Sequence, residues 1–315
     1  MIQLFNINHY DVDTSRFSNL LHDKIVTEFE CRFAEYVGAK YACSANSASS
    51  LLFLSLLNKK TTVSIPSTIP AVVPNVIINS GNEILFYDDV DWVGSSYRLH
   101  HNIIDSAQEV SKNQYLNWGE PDAEMIFSFY PTKPVGGCDG GMVVSDNKDA
   151  IDWYRMMTLN GMHFSENNWD RQHIAAGFKM HATSIQAYIA NENLKRLDNK
   201  NERLHEISLA YNEAFGYNNK SKHLYRIRVP NNKRFIRRMK ELGILCGIHY
   251  EHCHDKPFYK NTQSLVKSKL ESGRTVSIPF HEKLSNEQVS FIISTVKDLV
   301  KEGTNAWQHK KFRLR

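Results

Sequence analysis

The sequence predicts an α/β protein, with a large domain built on a mostly parallel sheet and a smaller C-terminal α+β domain. Three observations carry that expectation. Short apolar runs bounded by turn residues alternate with helical patterns through the first half of the chain. A long proline-free helical pattern begins near Thr183 and runs to about Phe215, long enough to bridge two domains. Beyond it, strand and helix patterns alternate again as a βαβα tail. With 315 residues and roughly 150 residues per domain as a guide, two domains are expected, at 1–200 and 201–315.

The first helix is expected at Ile25–Val37, where Phe29, Phe33 and the Tyr36–Val37 pair share one face and Gly38 supplies the stop. A strand follows at Lys40–Ser44. Ser47-Ala48-Ser49-Ser50 then opens LLFLSLL, apolar on nearly every side and so a buried helix. Further strands are expected at Thr62–Pro66, Glu83–Tyr87, Asn102–Asp105, Met125–Tyr130 and Gly141–Ser145. The tail reads as a strand at His223–Val229, a helix at Lys233–Leu242, a strand at Cys246–Tyr250 and a final helix at Asn286–Lys301.

Composition narrows the function. A hydrophobic fraction of 42% and a charged fraction of 23% exclude wholesale disorder. The net charge of +4 is too small and too scattered to argue for nucleic acid or an anionic membrane as the main partner. No run of about 18 apolar residues exists to span a membrane. The five cysteines show no CxxC spacing, which argues against a disulfide framework and for a reducing compartment. The N-terminus has no basic segment followed by an apolar stretch, so a cytoplasmic location is expected.

Four local features carry chemistry. Ser47-Ala48-Ser49-Ser50 joins a strand to a buried helix, and small residues at a helix N-terminus let an anion reach backbone N–H groups; an ordinary Ser cap is the plainer reading. In NIIDSAQ, Asp105 ends an apolar strand, where open α/β sheets put their ligands. It can pair with a protonated ring nitrogen or cap the following helix. In FSFYPTKPVGGCDGG, Lys133 leaves a strand and enters a glycine-rich turn; a desolvated lysine held that way can form an imine. Fourth, GFKMH puts Lys179 just ahead of the long helix, to meet a phosphate across an interface or to sit in solvent.

These pieces, in this order, resemble the DegT/DnrJ/EryC1/StrS family of sugar aminotransferases that use pyridoxal phosphate (PLP). EFECRFAEYVGAKYACSANSASS is similar to the family's opening helix, strand and phosphate loop. IIDSAQ resembles its E-D-A-A-Q signature, and FSFYPTKPVGGCDGGMVVS its lysine signature. GFKMHATSIQAYIANENLKRLD resembles the stretch before its long helix, and GIHYEHCHDKPFY and SIPFHEKLSNEQV its last two landmarks. The resemblance implies an aspartate-aminotransferase-like fold and a homodimer with shared active sites. It implies that Lys133 holds PLP through an imine and shuttles protons, and that Asp105 pairs with the pyridinium nitrogen. It also implies that Gln108 sits near the ring, that Ala48, Ser49 and Ser128 cradle the phosphate, and that Lys179 reaches a phosphate in the neighbouring subunit. The implied reaction moves an amino group from L-glutamate to a keto sugar attached to a nucleotide. No metal is implied.

Two departures bear on that expectation. Pro70 stands where relatives carry an aromatic residue that stacks on the cofactor, a contact worth roughly 0.5–1.5 kcal/mol; Trp92, Trp118, Trp153 and Trp169 are the candidate substitutes. Between Phe86–Asp91 and IIDSAQ only WVGSSYRLHHN remains, where relatives have a strand, a helix and a further strand. Part of the layer flanking the sheet is therefore expected to be missing or supplied by a partner. Pro70 and the shortening keep open a catalytically impaired relative that binds PLP or acts as an interaction protein. A PLP-dependent sugar dehydratase is a further alternative, against which Lys133 argues, because those relatives carry histidine there. His249-Tyr250-Glu251-His252-Cys253-His254 is a candidate zinc cluster, more simply a hydrophilic loop near the substrate cleft.

Overall fold

Helix α1 (Ile25–Val37) occupies the residues its apolar period predicts and stops where Gly38 takes a φ of 79°. The computed structural model describes residues 1–163, 171–259 and 263–312, with side chains up to residue 301. After α1 come β1 (Tyr41–Ala45), α2 (Ala48–Leu56), β2 (Thr62–Pro66), α3 (Val72–Asn79), β3 (Glu83–Tyr87), β4 (Tyr97–His100) and β5 (Ile103–Asp105). Then follow α4 (Gln114–Trp118), β6 (Glu124–Ser128), β7 (Gly141–Ser145), α5 (Lys148–Thr158), α6 (Ser184–Leu194) and α7 (Leu197–Phe215). The chain ends with β8 (Tyr225–Arg228), α8 (Asn232–Glu241), α9 (Val266–Ser272), β9 (Thr275–Ile278) and α10 (Asn286–Phe312).

The α/β class holds, but the sheet is mixed rather than mostly parallel. Five strands lie in the order β1-β7-β6-β5-β4, and β2 and β3 form a separate parallel pair. Within the five, only β5 and β6 are parallel neighbours; β7 and β4 run against the rest. The connections give the reason. Parallel neighbours need a crossover, usually helical, whereas the link from β6 to β7 contains no helix and the link from β4 to β5 is a two-residue hairpin.

Alternating side chains send two apolar layers to the two faces of this sheet. On one face α1, α4 and α6 pack over Ile104, Met125, Phe127 and Val144. On the other, α2, α3 and α5 pack over Ile103, Ile126 and Val143. A third cluster joins α7, α8 and α10 to β8 and β9. The N-terminus lies on this third cluster, where Ile2 exchanges backbone hydrogen bonds with Gly243 and Leu245 at 2.7 and 2.9 Å.

One buried charge ties α1, β1 and α5 together. Glu30 accepts from the Ser44 N–H and hydroxyl at 2.7 Å each and pairs with Arg155 at 2.8 Å. A carboxylate is tolerated in a core when it is paired and hydrogen-bonded in this way.

Two local expectations are corrected. The long helix is two, broken at Arg196, where ψ moves to 0°. The strand expected at Cys246–Tyr250 is reduced to one bridge between Gly247 and Ser277, and β9 is the partner of β8. The shortened stretch after Asp91 contains β4. It takes the sheet edge beside β5. Ser64, Leu85, Tyr87 and Arg98 are exposed there, with Arg98 paired to Glu120 and lying 5.8 Å over the Trp118 ring. No described helix is long and apolar enough to cross a membrane.

Candidate active site

Ala48, Ser49, Pro70, Asp105, Gln108, Ser128 and Lys133, drawn from four separate stretches of sequence, line one cavity of about 410 Å³. That is a ligand-sized volume. Residues on both sides of position 200 contribute to it, since His223, His249 and Tyr250 complete the wall.

Lys133 is placed by a tight turn after β6, in which its N–H donates to the Tyr130 carbonyl at 2.8 Å. Gly136 allows the turn to close, with a φ of 65° and a missing Cβ that would stand 2.9 Å from the Pro131 carbonyl oxygen. Burial pushes the Lys133 amine down to about 8, against the pull of the Asp105 carboxylate. It faces two imidazoles that cannot compete for a proton. His223 is held well below its usual range and His249 is pushed down to about 4, first by burial and then by Lys133.

Asp105 ends β5 and is 5% exposed. Its Oδ1 accepts from the Ala107 N–H at 2.9 Å and its Oδ2 from the Tyr97 hydroxyl at 2.7 Å. Burial raises its pKa, while those two hydrogen bonds and Lys133 pull it back. The helix-cap reading of Asp105 is corrected, because the Ala107 N–H it holds belongs to a turn and the next helix starts only at Gln114, with Asn113 at its N-cap; the carboxylate stays at the cavity wall. Gln108 is also buried, and its Oε1 accepts from the Gly94 N–H at 3.0 Å.

At the other end of the cavity stands the N-terminus of α2. The Ser47 hydroxyl accepts from the Ser50 N–H at 3.2 Å, so the plain Ser cap is real. The first N–H groups of a helix have no acceptor within it, and Ala48 and Ser49 line the cavity, so the anion site is available as well. Gly141 makes this packing possible. A Cβ there would lie 2.4 Å from the Ala48 nitrogen. Ser128, at the end of β6, accepts from the Tyr130 N–H at 3.3 Å.

Lys179 is not part of this wall. It is exposed, and its backbone bridges to Leu159. Of the candidate substitutes for the stacking ring, Trp92 lines the cavity with Pro70, and neither Trp118 nor Trp153 does; Trp169 lies outside the described residues. The Trp92 Nε1–H donates to the Thr68 carbonyl at 3.1 Å, and the ring packs edge-on against Tyr97 at 4.6 Å. Trp92→Ala is expected to cost about 3–5 kcal/mol of stability, read as a lower urea midpoint, because this buried ring supports both the cavity and the Tyr97 contact.

Sequence reasoning missed Phe5, Tyr97 and His223, and could not choose Trp92 from the four candidate rings. None belongs to a local motif; each arrives by tertiary packing. Of the His-rich stretch, His249 and Tyr250 line the cavity. His252 turns to Asp255 at 2.7 Å and His254 to Ser67 at 2.6 Å. Among the described residues no group of three or more His, Cys, Asp or Glu side chains could hold a metal ion.

An amine that loses its proton near neutrality, a buried carboxylate and a helix N-terminus share this cavity. Together they can hold an aldehyde, a protonated ring nitrogen and a phosphate.

The model of the DegT/DnrJ/EryC1/StrS aminotransferase family matches residues 11–92 and 103–297. Similar curated proteins include the UDP-4-amino-4,6-dideoxy-N-acetyl-beta-L-altrosamine transaminase of Campylobacter jejuni, 26% identical over 95% of this chain and 97% of that protein. The spore coat polysaccharide biosynthesis protein SpsC of Bacillus subtilis is 26% identical over 88% and 90%. Among solved structures, the aminotransferase TlmJ from Streptoalloteichus hindustanus superposes with a TM-score of 0.79 at 19% identity, covering 98% of this chain and 100% of that one. Helicobacter pylori PseC, an aminotransferase involved in the biosynthesis of pseudoaminic acid, gives 0.77 at 19% identity, covering 95% and 99%. At such identities these structural likenesses concern the fold.

Proposed function

The chain belongs to the DegT/DnrJ/EryC1/StrS aminotransferase family, and from that premise we propose that it transfers an amino group from L-glutamate to a keto sugar carried on a nucleotide, with PLP bound around Lys133. The observation that carries the reading is the meeting of Lys133, with its amine lowered to about 8, and the buried Asp105 carboxylate in one cavity. PLP fits the donor set, because the cavity offers an amine for its aldehyde, a carboxylate for its ring nitrogen and helix N–H groups for its phosphate. When bound, PLP supplies an electron sink for the carbon that loses or gains a proton.

The remaining work belongs to the chain. Lys133 holds the cofactor through its amine and moves protons at the reacting carbon, for which a pKa close to the working pH is suited. Asp105 keeps the ring nitrogen protonated, and the Gln108 amide lies beside the ring. The backbone at Ala48 and Ser49, with the Ser128 hydroxyl, binds the phosphate. Lys179, exposed and away from this cavity, serves the phosphate of a neighbouring subunit in a homodimer. Relatives named for nucleotide-sugar and coat-polysaccharide synthesis support a sugar nucleotide as acceptor, and a cytoplasmic location follows from that supply.

The test is amino transfer itself. Purified protein incubated with PLP, glutamate and a panel of keto sugar nucleotides is expected to release 2-oxoglutarate in step with an amino sugar nucleotide. Release of neither, from protein that takes up PLP, would leave the impaired-relative reading in its place.

A further inference from the structure

Residues 93–102 lie outside both matched segments of the family model, yet they brace the two side chains proposed to meet the cofactor ring. After Trp92 the chain turns and returns as β4, antiparallel to β5, with Tyr97 directly opposite Asp105. The turn is anchored where the Ser96 N–H and hydroxyl donate to Glu109 at 3.0 and 2.9 Å. From this frame the Tyr97 hydroxyl donates to Asp105 Oδ2 at 2.7 Å and the Gly94 N–H donates to Gln108 Oε1 at 3.0 Å.

We propose that this short segment is a positioning device, in which the Tyr97 phenol orients the Asp105 carboxylate toward the ring nitrogen while Gly94 orients the Gln108 amide. The inference rests on the PLP reading above. Tyr97 is a positioning residue, since it acts through Asp105.

The geometry suits the task. The Tyr97 ring is 8% exposed and wedged against Trp92, so the hydroxyl has little freedom to turn away. Burial and the adjacent carboxylate hold the phenol well above its usual pKa, which keeps it a donor. Each carboxylate oxygen accepts one hydrogen bond, from Ala107 or from Tyr97, and retains a lone pair. Gly94 occupies the Gln108 carbonyl, which leaves the amide N–H₂ as the end able to reach a ligand.

Several groups face this pair. Lys133 approaches Asp105 from the loop after β6, and Tyr250 faces it from the C-terminal part of the chain. Tyr87 on β3 and Tyr250 face Tyr97. His223 and His249 face Lys133, whose charge together with burial holds both imidazoles neutral near neutrality. Lys133 is thus the one group among those named that can carry positive charge near neutrality. Losing the phenol removes a donor that favours the ionised carboxylate, so Asp105 retains its proton to higher pH.

The experiment compares wild type with Tyr97→Phe, which keeps the ring against Trp92. PLP affinity is titrated by absorbance between pH 5 and pH 8.5, Asp105 is followed by carboxyl ¹³C NMR in the ligand-free protein, and stability is read from urea denaturation. Tyr97→Phe is expected to raise the Asp105 midpoint, and with it the acid limb of PLP binding, by about one pH unit. PLP affinity should fall several-fold on the acid limb of the titration and recover as pH rises. Tyr97→Met, with different packing, should move the midpoint the same way. A merely structural Tyr97 would lower the urea midpoint and weaken PLP equally at every pH, and that result overturns the inference. If wild type binds PLP and Tyr97→Phe matches it throughout, this inference alone fails. If wild type takes up no PLP, the cofactor reading fails first and carries this one with it.

Discussion

Lys133→Met is expected to abolish amino transfer, lowering kcat by roughly 10⁴-fold or more, while making the ligand-free protein more stable at pH 7. The two effects have one cause. Burial lowers the amine from 10.5 to about 8, so the unfolded chain binds this proton more tightly than the folded one. Below pH 8 both states are protonated and the fold bears the whole cost of the buried ammonium. Between about 8 and 10.5 only the unfolded chain keeps the proton, and stability rises with pH. Above that window the cost is gone. Discounting the part of the side chain that stays wetted, Met should gain about 2 kcal/mol at pH 7, or roughly 4–8 °C in Tm. Urea titrations at pH 7 and pH 10 separate the sequences, because the stability gap must narrow severalfold at the higher pH. A Met variant that retains turnover, or a gap that is undiminished at pH 10, removes Lys133 from its assigned place.

That lysine was legible because a strand, a tight turn and four glycines impose a local pattern. Much of the fold was legible for similar reasons. Helix α1 and strands β2, β3 and β7 stand at their expected bounds, since apolar period and turn residues act within a few positions of the chain. Strand direction is another matter. Nothing in GMVVS or YRLH records which way its neighbour runs, and the reversal of β7 and β4 is decided by how their connections close. Helix α3 hid behind Pro70 and Pro74. Pro74 sits at the third helical residue, within the first turn, where a missing N–H costs little. The break at Arg196 carries no Gly or Pro, so packing alone marks it.

The candidate site divides along the same line. Ser47 to Ser49, Asp105, Gln108, Ser128 and Lys133 each belong to a short motif, and the fold brings them to one cavity. Tyr97, Trp92, Phe5 and His223 have no motif because their contribution exists only once distant segments meet. The stretch read as a loss, WVGSSYRLHHN, illustrates the difference. Its shortening was visible in sequence, whereas the bond from Tyr97 to Asp105 requires β4 to lie in register with β5.

Asp105→Asn is expected to lower turnover by about 10³-fold while leaving the fold intact and Lys133 able to be trapped with PLP by borohydride. Asn is nearly isosteric and keeps an oxygen for the Ala107 N–H, so the change is chiefly one of charge. The sign of the stability effect supports this separation. Burial raises Asp105 above 3.8, so the folded chain holds this proton more tightly than the unfolded one. The associated stability is fully present below 3.8 and is lost as pH rises through the folded value, which leaves at neutrality a carboxylate whose burial its two hydrogen bonds and Lys133 only partly offset. Removing the charge therefore does not cost the ligand-free protein stability at pH 7. What is lost is the anion that keeps a ring nitrogen protonated, and a neutral ring draws electrons from the reacting carbon far less well. The glutamate half-reaction, followed by single-turnover absorbance, should slow by the full factor, because the deficit lies in the proton-transfer step rather than in binding. Lys133→Met removes the covalent anchor and Asp105→Asn leaves it in place. A carboxamide at 105 that turns over within tenfold of wild type would show that the acid at the end of β5 shapes the cavity without setting the charge of what it holds.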